Sequence, residues 1–112
     1  GFVTYTNRSK QEMLGVPAHL FAAVGAVSEE VARAMAEGAL ERVPAHISVS
    51  ATGIAGPGGG TETKPVGLVH IASARHGRAT LHERHVFSGD RDAVRRQATE
   101  TALRLLLRQL AD

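Results

Sequence analysis

Residues 52–67 read TGIAGPGGGTETKPVG, with six glycines and two prolines in sixteen positions. What stands on either side of this stretch decides the fold. Before it, residues 47–51 alternate Ile, Ser, Val, Ser, Ala, the period-two pattern of a short strand with one apolar face. After it, Lys64-Pro65-Val66 leads into residues 66–73, a more apolar run of strand length. The loop therefore joins strand to strand. A Walker A loop or a dinucleotide fingerprint needs a helix opening at its end, and no Gly-Lys-Ser or Gly-Lys-Thr occurs here. Glycine permits positive φ and close main-chain approach, so successive N–H groups can converge on an anion. The same composition serves an ordinary hairpin connection or a packing corner. Composition alone leaves both readings open.

Outward from the loop, His76-Gly77 is a hairpin signal, and residues 79–87 read as a returning strand. His82, Glu83, Arg84 and His85 place that strand at an edge or with one wet face. Ser-Gly-Asp-Arg at 88–91 then turns the chain into a final helix over about 90–110. Val94, Ala98, Ala102, Leu105 and Leu106 form its core stripe, and Arg95, Arg96, Arg104 and Arg108 its solvent face. Upstream, Ser28 is a good N-cap, with Glu29 and Glu30 in the first turn where the helix dipole favours negative charge. Val31, Ala32, Met35, Ala36, Ala39, Leu40 and Val43 recur at helical spacing, and Pro44 ends that helix near Arg42. Residues 17–24 suit one short helical turn. Ser9 and Glu12 have capping-box spacing for a helix running to Leu14 and stopping at Gly15. Residues 2–5 are rich in strand formers. The order β-α-β-β-β-α fits an α/β layer structure with a mixed sheet.

The chain has 112 residues, 43% hydrophobic, which suits one domain with a buried core. It has no tryptophan, three phenylalanines and one tyrosine, so no set of aromatics can stack bases. The pI near 9.7 and the arginines of the last helix raise nucleic-acid binding. A net charge of only +2, with those arginines at solvent-face spacing, argues against it. The absence of cysteine removes disulfides, thiol nucleophiles and cysteine metal sites, and suits a reducing cytoplasm. No apolar run is long enough for a membrane span or leader. The six histidines have no paired ligand spacing with nearby carboxylates, so no metal site is expected. The chain opens at Gly1 directly on a strand-like run, so we expect a domain over residues 1–112 lacking its N-terminal part.

Among thirteen basic residues only Lys10 and Lys64 are lysines. Arginine stays charged at any relevant pH, whereas a buried lysine can lose its proton, so Lys10 is a candidate base. A solvated helix lysine is the ordinary alternative. Tyr5, at the end of the preceding run, can line the same cavity or cap the core. Thr52 can present its hydroxyl to a ligand or simply end a strand. Arg91 opens the last helix beside Asp90, where it can clamp a phosphate or pair with the aspartate.

Four stretches together, GFVTYTNRSK, GAVSEEVARAMAEGAL, SVSATGIAGPGGGTETKPVG and FSGDRDAVRRQATETAL, resemble the C-terminal domain of the competence/damage-inducible CinA proteins. That domain also occurs as a stand-alone nicotinamide-mononucleotide amidohydrolase. The resemblance implies a three-layer α/β/α fold and hydrolysis of the carboxamide of a small-molecule pyridine mononucleotide, a salvage step yielding nicotinate mononucleotide and ammonia. It implies a serine nucleophile with a lysine base, no metal and no cofactor, and no nucleic-acid or membrane partner. A homo-oligomer and a further N-terminal domain in the full-length protein are compatible with it. By the family's motifs, Lys10 is the base, with Tyr5 and Thr52 as orienting or oxyanion-stabilising groups. Gly53, Gly56, Gly58, Gly59, Gly60 and Arg91 would bind the nucleotide end. The family's serine lies in an E-S-C-T-G-G stretch upstream of the lysine, and that stretch is not in this sequence. These 112 residues alone are therefore expected to be inactive. The alternative is a nucleotide-binding or assembly module without chemistry.

Overall fold

In a computed structural model, which describes residues 1–111, four helices and three strands build two helical layers around one sheet. The strands are β1 (Ile47–Gly53), β2 (Leu68–Arg75) and β3 (Leu81–Val86), in the spatial order β1-β2-β3. Both pairings are antiparallel, with Ser50 opposite Ala72 and Ala72 opposite His82. The sheet expected to be mixed is therefore wholly antiparallel among the described residues. Residues 2–5, expected as the first strand, form no ladder: strand propensity without a hydrogen-bonded neighbour does not make a strand. β2 lies between the other two and is buried on both faces from Leu68 to Ala74.

One helical layer is α1 (Asn7–Leu14), α2 (Ala18–Ala23) and α3 (Glu29–Arg42). Ser28 caps α3 by accepting a hydrogen bond from the Val31 N–H. Ala32, Ala36 and Leu40 of α3 pack on Ala72 and Ala74 of β2, where small side chains let the helix lie close to the sheet. Leu14 and Val16 pack on Val31 and Met35 of the same helix. The α1 N-cap is Thr6, in a reciprocal capping box with Ser9, so Ser9 is the third helical residue rather than the cap expected for it. Gly15, at φ 69°, closes α1 in the left-handed conformation. Gly38 lies where α1 meets α3: a Cβ there would stand 1.8 Å from the Leu14 carbonyl oxygen.

The other layer is α4 (Arg91–Leu110), capped by Asp90, whose carboxylate accepts from the Ala93 N–H. Val94 and Leu105 pack on Val69 and Ile71 from the opposite face of the sheet. Buried Gln109 donates to the carbonyls of Ser73 and Ala79, tying the end of α4 to β2 and the β2–β3 turn.

The serines of β1 do not form the polar outer face that their alternation suggests. Ser48 donates to the Ala36 carbonyl at 2.6 Å, Ser50 to the Ala32 carbonyl at 2.6 Å, and Thr52 to the Ala26 carbonyl at 2.9 Å. A hydroxyl can be buried at little cost when a carbonyl accepts its proton. The strand is thereby stitched along α3 and its preceding turn.

Candidate active site

Lys10 lies in the second turn of α1 and is 8% exposed. Its Nζ donates to the Thr4 carbonyl at 2.8 Å. Among the described residues no carboxylate forms an ion pair with it. Burial therefore acts on the ammonium uncompensated, and it lowers the lysine pKa below its ordinary value. The helix places the amine here because the chain enters α1 from residues 1–5, folded back so that the Thr4 carbonyl faces the second turn.

Lys10 lines a groove of about 620 Å³. Residues 1–5 form one wall, Leu14, Met35, Ala39 and Val43 the apolar floor, and residues 48–53 the other wall. Three candidates named from sequence, Lys10, Tyr5 and Thr52, come together here, and Gly53 joins them. They differ in freedom. Tyr5 is 89% exposed, so its ring borders the groove from solvent. Thr52 is buried, and its hydroxyl proton is already given to Ala26. Its oxygen lone pairs remain able to accept.

Gly56, Gly58, Gly59, Gly60 and Arg91 do not line this groove. Two glycines of the loop serve the chain's own packing. A Cβ on Gly53 would stand 2.8 Å from the Leu68 carbonyl oxygen, and one on Gly60 would stand 2.8 Å from the Val66 nitrogen. Gly58 differs, with open space at its Cβ position. Arg91 donates to the Gly56 carbonyl at 3.0 Å and so ties the loop to the start of α4.

Two features escaped the sequence reading. Lys64, in the glycine loop, donates to the Val24 carbonyl at 2.5 Å and so straps the loop onto the turn that Thr52 also holds. The signal was present as the second lysine of an arginine-rich chain. The other is a row of His70, His82 and Glu29. His70 Nδ1 and His82 Nε2 are 2.9 Å apart, and His82 Nδ1 is 3.7 Å from a Glu29 oxygen. The two rings stack at 5.1 Å. Nothing in the spacing of these residues announces the pair, because it is made across β2 and β3.

Comparison with known proteins bears on the same region. A family model described as CinA C-terminal domain matches residues 1–110. The nicotinamide-nucleotide amidohydrolase PncC of Escherichia coli K12 is 53% identical over 109 residues, covering 97% of this chain and 66% of the relative. A CinA-like protein of Akkermansia muciniphila is 51% identical over 107 residues, 96% of this chain but 26% of the relative. Among solved structures, competence/damage inducible protein CihA from Agrobacterium tumefaciens superposes with a TM-score of 0.94 at 46% identity, over 96% of this chain and 66% of that one. A CinA superfamily protein from Escherichia coli gives 0.92 at 39% identity, over 98% and 63%. The chain thus spans about a quarter of the length of the CinA-like relative and about two thirds of PncC.

Proposed function

Because this chain belongs to the CinA C-terminal domain family, we propose that it carries the base and part of the substrate wall of an amidohydrolase acting on a nicotinamide nucleotide. The observation that carries the reading is the buried, carboxylate-free Lys10 amine sharing one groove with Thr52 and Gly53. Its support from kinship is 53% identity to a nicotinamide-nucleotide amidohydrolase over almost the whole chain.

In this reading an uncharged Lys10 takes the proton of a serine hydroxyl, which attacks the carboxamide carbon of the nicotinamide ring. The tetrahedral oxyanion is met by donors at the groove, with main-chain N–H groups near Gly53 as candidates; one such donor is worth about 3 kcal/mol. The protonated lysine returns its proton to the departing nitrogen, the C–N bond breaks, and ammonia leaves. Water then hydrolyses the acyl-serine to the nicotinate nucleotide, with Lys10 again as base. A lysine suits this cycle because burial can bring its pKa towards neutrality, which arginine does not allow. Arg91 and the outward Gly58 region form the proposed nucleotide-phosphate end.

The serine is not among these residues. Ser48 and Ser50 line the groove, but both hydroxyls donate to α3 carbonyls, and Ser9 is engaged in the α1 cap. That commitment favours a second reading, in which these 112 residues bind a nucleotide without acting on it. Ammonia release from nicotinamide mononucleotide separates the two. The reading expects turnover from a longer protein that includes an E-S-C-T-G-G stretch, nearly complete loss in its Lys10→Arg variant, and none from the 112 residues alone. Normal turnover in the Lys10→Arg protein removes lysine as the base. Calorimetric binding of nicotinate mononucleotide by the longer protein, without turnover, supports the second reading.

A further inference from the structure

Three consecutive carbonyls in the turn between α2 and α3 accept hydrogen bonds from three side chains, one each from the glycine loop, the α3 cap and β1. Lys64 Nζ donates to Val24 at 2.5 Å, Ser28 Oγ to Gly25 at 2.8 Å, and Thr52 Oγ1 to Ala26 at 2.9 Å. The turn's own main chain ties it back to α2, through the Val24 and Gly25 N–H groups on the Leu20 carbonyl. Lys64 leaves a closed turn, its N–H bonded to Thr61 Oγ1 at 3.1 Å and its carbonyl to the Thr61 N–H at 2.8 Å. Gly25 makes room for the amine, since a Cβ there would stand 2.8 Å from Nζ. Among the described residues no other hydrogen bond joins the glycine loop to this turn.

Thr52 lines the Lys10 groove, and Lys64 does not. With its proton given to Ala26, Thr52 meets the groove only as an acceptor. A hydroxyl turns to suit its partners, so this polarity lasts only while the Ala26 carbonyl keeps its place. Lys64 holds the carbonyl two residues before it. Substrate and product of the proposed reaction differ at one group: a carboxamide nitrogen donates, and a carboxylate only accepts. We infer that Lys64 is a positioning residue for this groove: by anchoring residues 24–26 it keeps Thr52 an acceptor, so that the groove takes the carboxamide and rejects the carboxylate product. Two acceptors facing each other in a buried site share no proton, which weakens the product and spares the substrate. The inference rests on the amidohydrolase reading and adds to it a residue that acts through the turn rather than on the reacting atoms.

Steady-state kinetics on nicotinamide mononucleotide test it in a longer protein that includes an E-S-C-T-G-G stretch, with nicotinate mononucleotide as product inhibitor. Lys64→Met keeps the reach of the side chain and removes the donor. It should lower kcat/KM by about fivefold, the worth of one neutral hydrogen bond, and tighten product inhibition by a similar factor. The opposite signs separate this role from a structural strap, whose loss would weaken both ligands. If that protein does not fold, Lys64→Gln, polar but one bond shorter, makes the same test. In a Thr52→Val protein, which has no hydroxyl to turn, Lys64→Met should change neither constant further. Looser product inhibition, unchanged constants, or an equal effect in the Thr52→Val background overturns the inference. Its failure is separate from that of the amidohydrolase reading, which falls with normal turnover in Lys10→Arg whatever Lys64 does.

Discussion

Replacing Gly38 by alanine sets two physical effects against each other. In an isolated helix the change is favourable by about 1 kcal/mol, because glycine loses more backbone freedom than alanine. In this fold the new Cβ would lie 1.8 Å from the Leu14 carbonyl oxygen, where ordinary contact begins at 3.4 Å. α1 must then withdraw by about 1.6 Å, the difference of those two distances. The obstacle is backbone, so no side-chain rotation relieves it. Overpacking of this kind costs about 1–3 kcal/mol and occasionally more. Withdrawal also loosens Leu14 and Val16 from Val31 and Met35, and burial of each such side chain is worth about 1.5–3 kcal/mol. Even partial loosening outweighs the propensity gain, so we expect a net loss of about 2 kcal/mol. Urea unfolding should show a lower midpoint at unchanged slope, with Tm falling by about 8 °C for a chain of this length. Because α1 also carries Lys10, withdrawal should rehydrate the amine, and its pKa, read by carbon NMR, should rise towards the ordinary value. A raised urea midpoint, as helix propensity alone would give, refutes the close crossing of α1 and α3.

The histidine pair predicts acid sensitivity. Burial, and for His70 also the neighbouring His82, pushes both imidazoles below 6.5, with Glu29 partly opposing this at each ring. The unfolded chain then binds more protons in the window running down from pH 6.5, so stability is held above it and falls as pH drops through it. Urea midpoints from pH 7.5 to 5 should decline, and a His70→Gln/His82→Gln protein should decline less; equal slopes would exclude the pair. The carboxylates of Glu29 and Glu83, held below 4.5 chiefly by bonds to Arg33 and His85 respectively, should add their own loss only at lower pH. Thr52→Val keeps the shape but removes the donor to Ala26, and should cost about 1 kcal/mol in the same assay. An unchanged midpoint would mean that this hydroxyl does not hold the turn.

Much of this architecture was legible in the chain. Ser28 and the apolar stripe after it gave α3 almost to the residue, since cap and periodicity agree. β2 extended to Arg75 rather than Ser73, a shift at the terminus where local signals are weakest. β1 is legible from its alternation, but the burial of its serines is not: sequence records that a hydroxyl is polar, not that Ala32 and Ala36 offer it carbonyls. The start of α1 was misplaced because Thr6 and Ser9 both fit a capping box and only geometry selects one. Lys10 stood out among arginines for a chemical reason, and its burial beside Thr52 agrees with that reason. The glycine loop was the least decidable. A missing side chain makes room for a ligand or for the chain itself, and at Gly53 and Gly60 the chain occupies the room.

The stitching of β1 to α3 has a geometric limit. Ser48 and Ser50 are two residues apart on a strand that rises about 3.4 Å per residue, and they meet carbonyls four residues apart on a helix that rises about 1.5 Å. Two strand steps, about 6.8 Å, nearly equal the rise of four helical residues, about 6.0 Å. The two scales behave like a vernier and slip by about 0.8 Å per rung, and because α3 begins at Glu29 the third rung, from Thr52, lands beyond the helix on Ala26. A one-residue insertion within β1 or within the first two turns of α3 would therefore misalign several rungs together, so that this stretch tolerates substitution far better than any change of length.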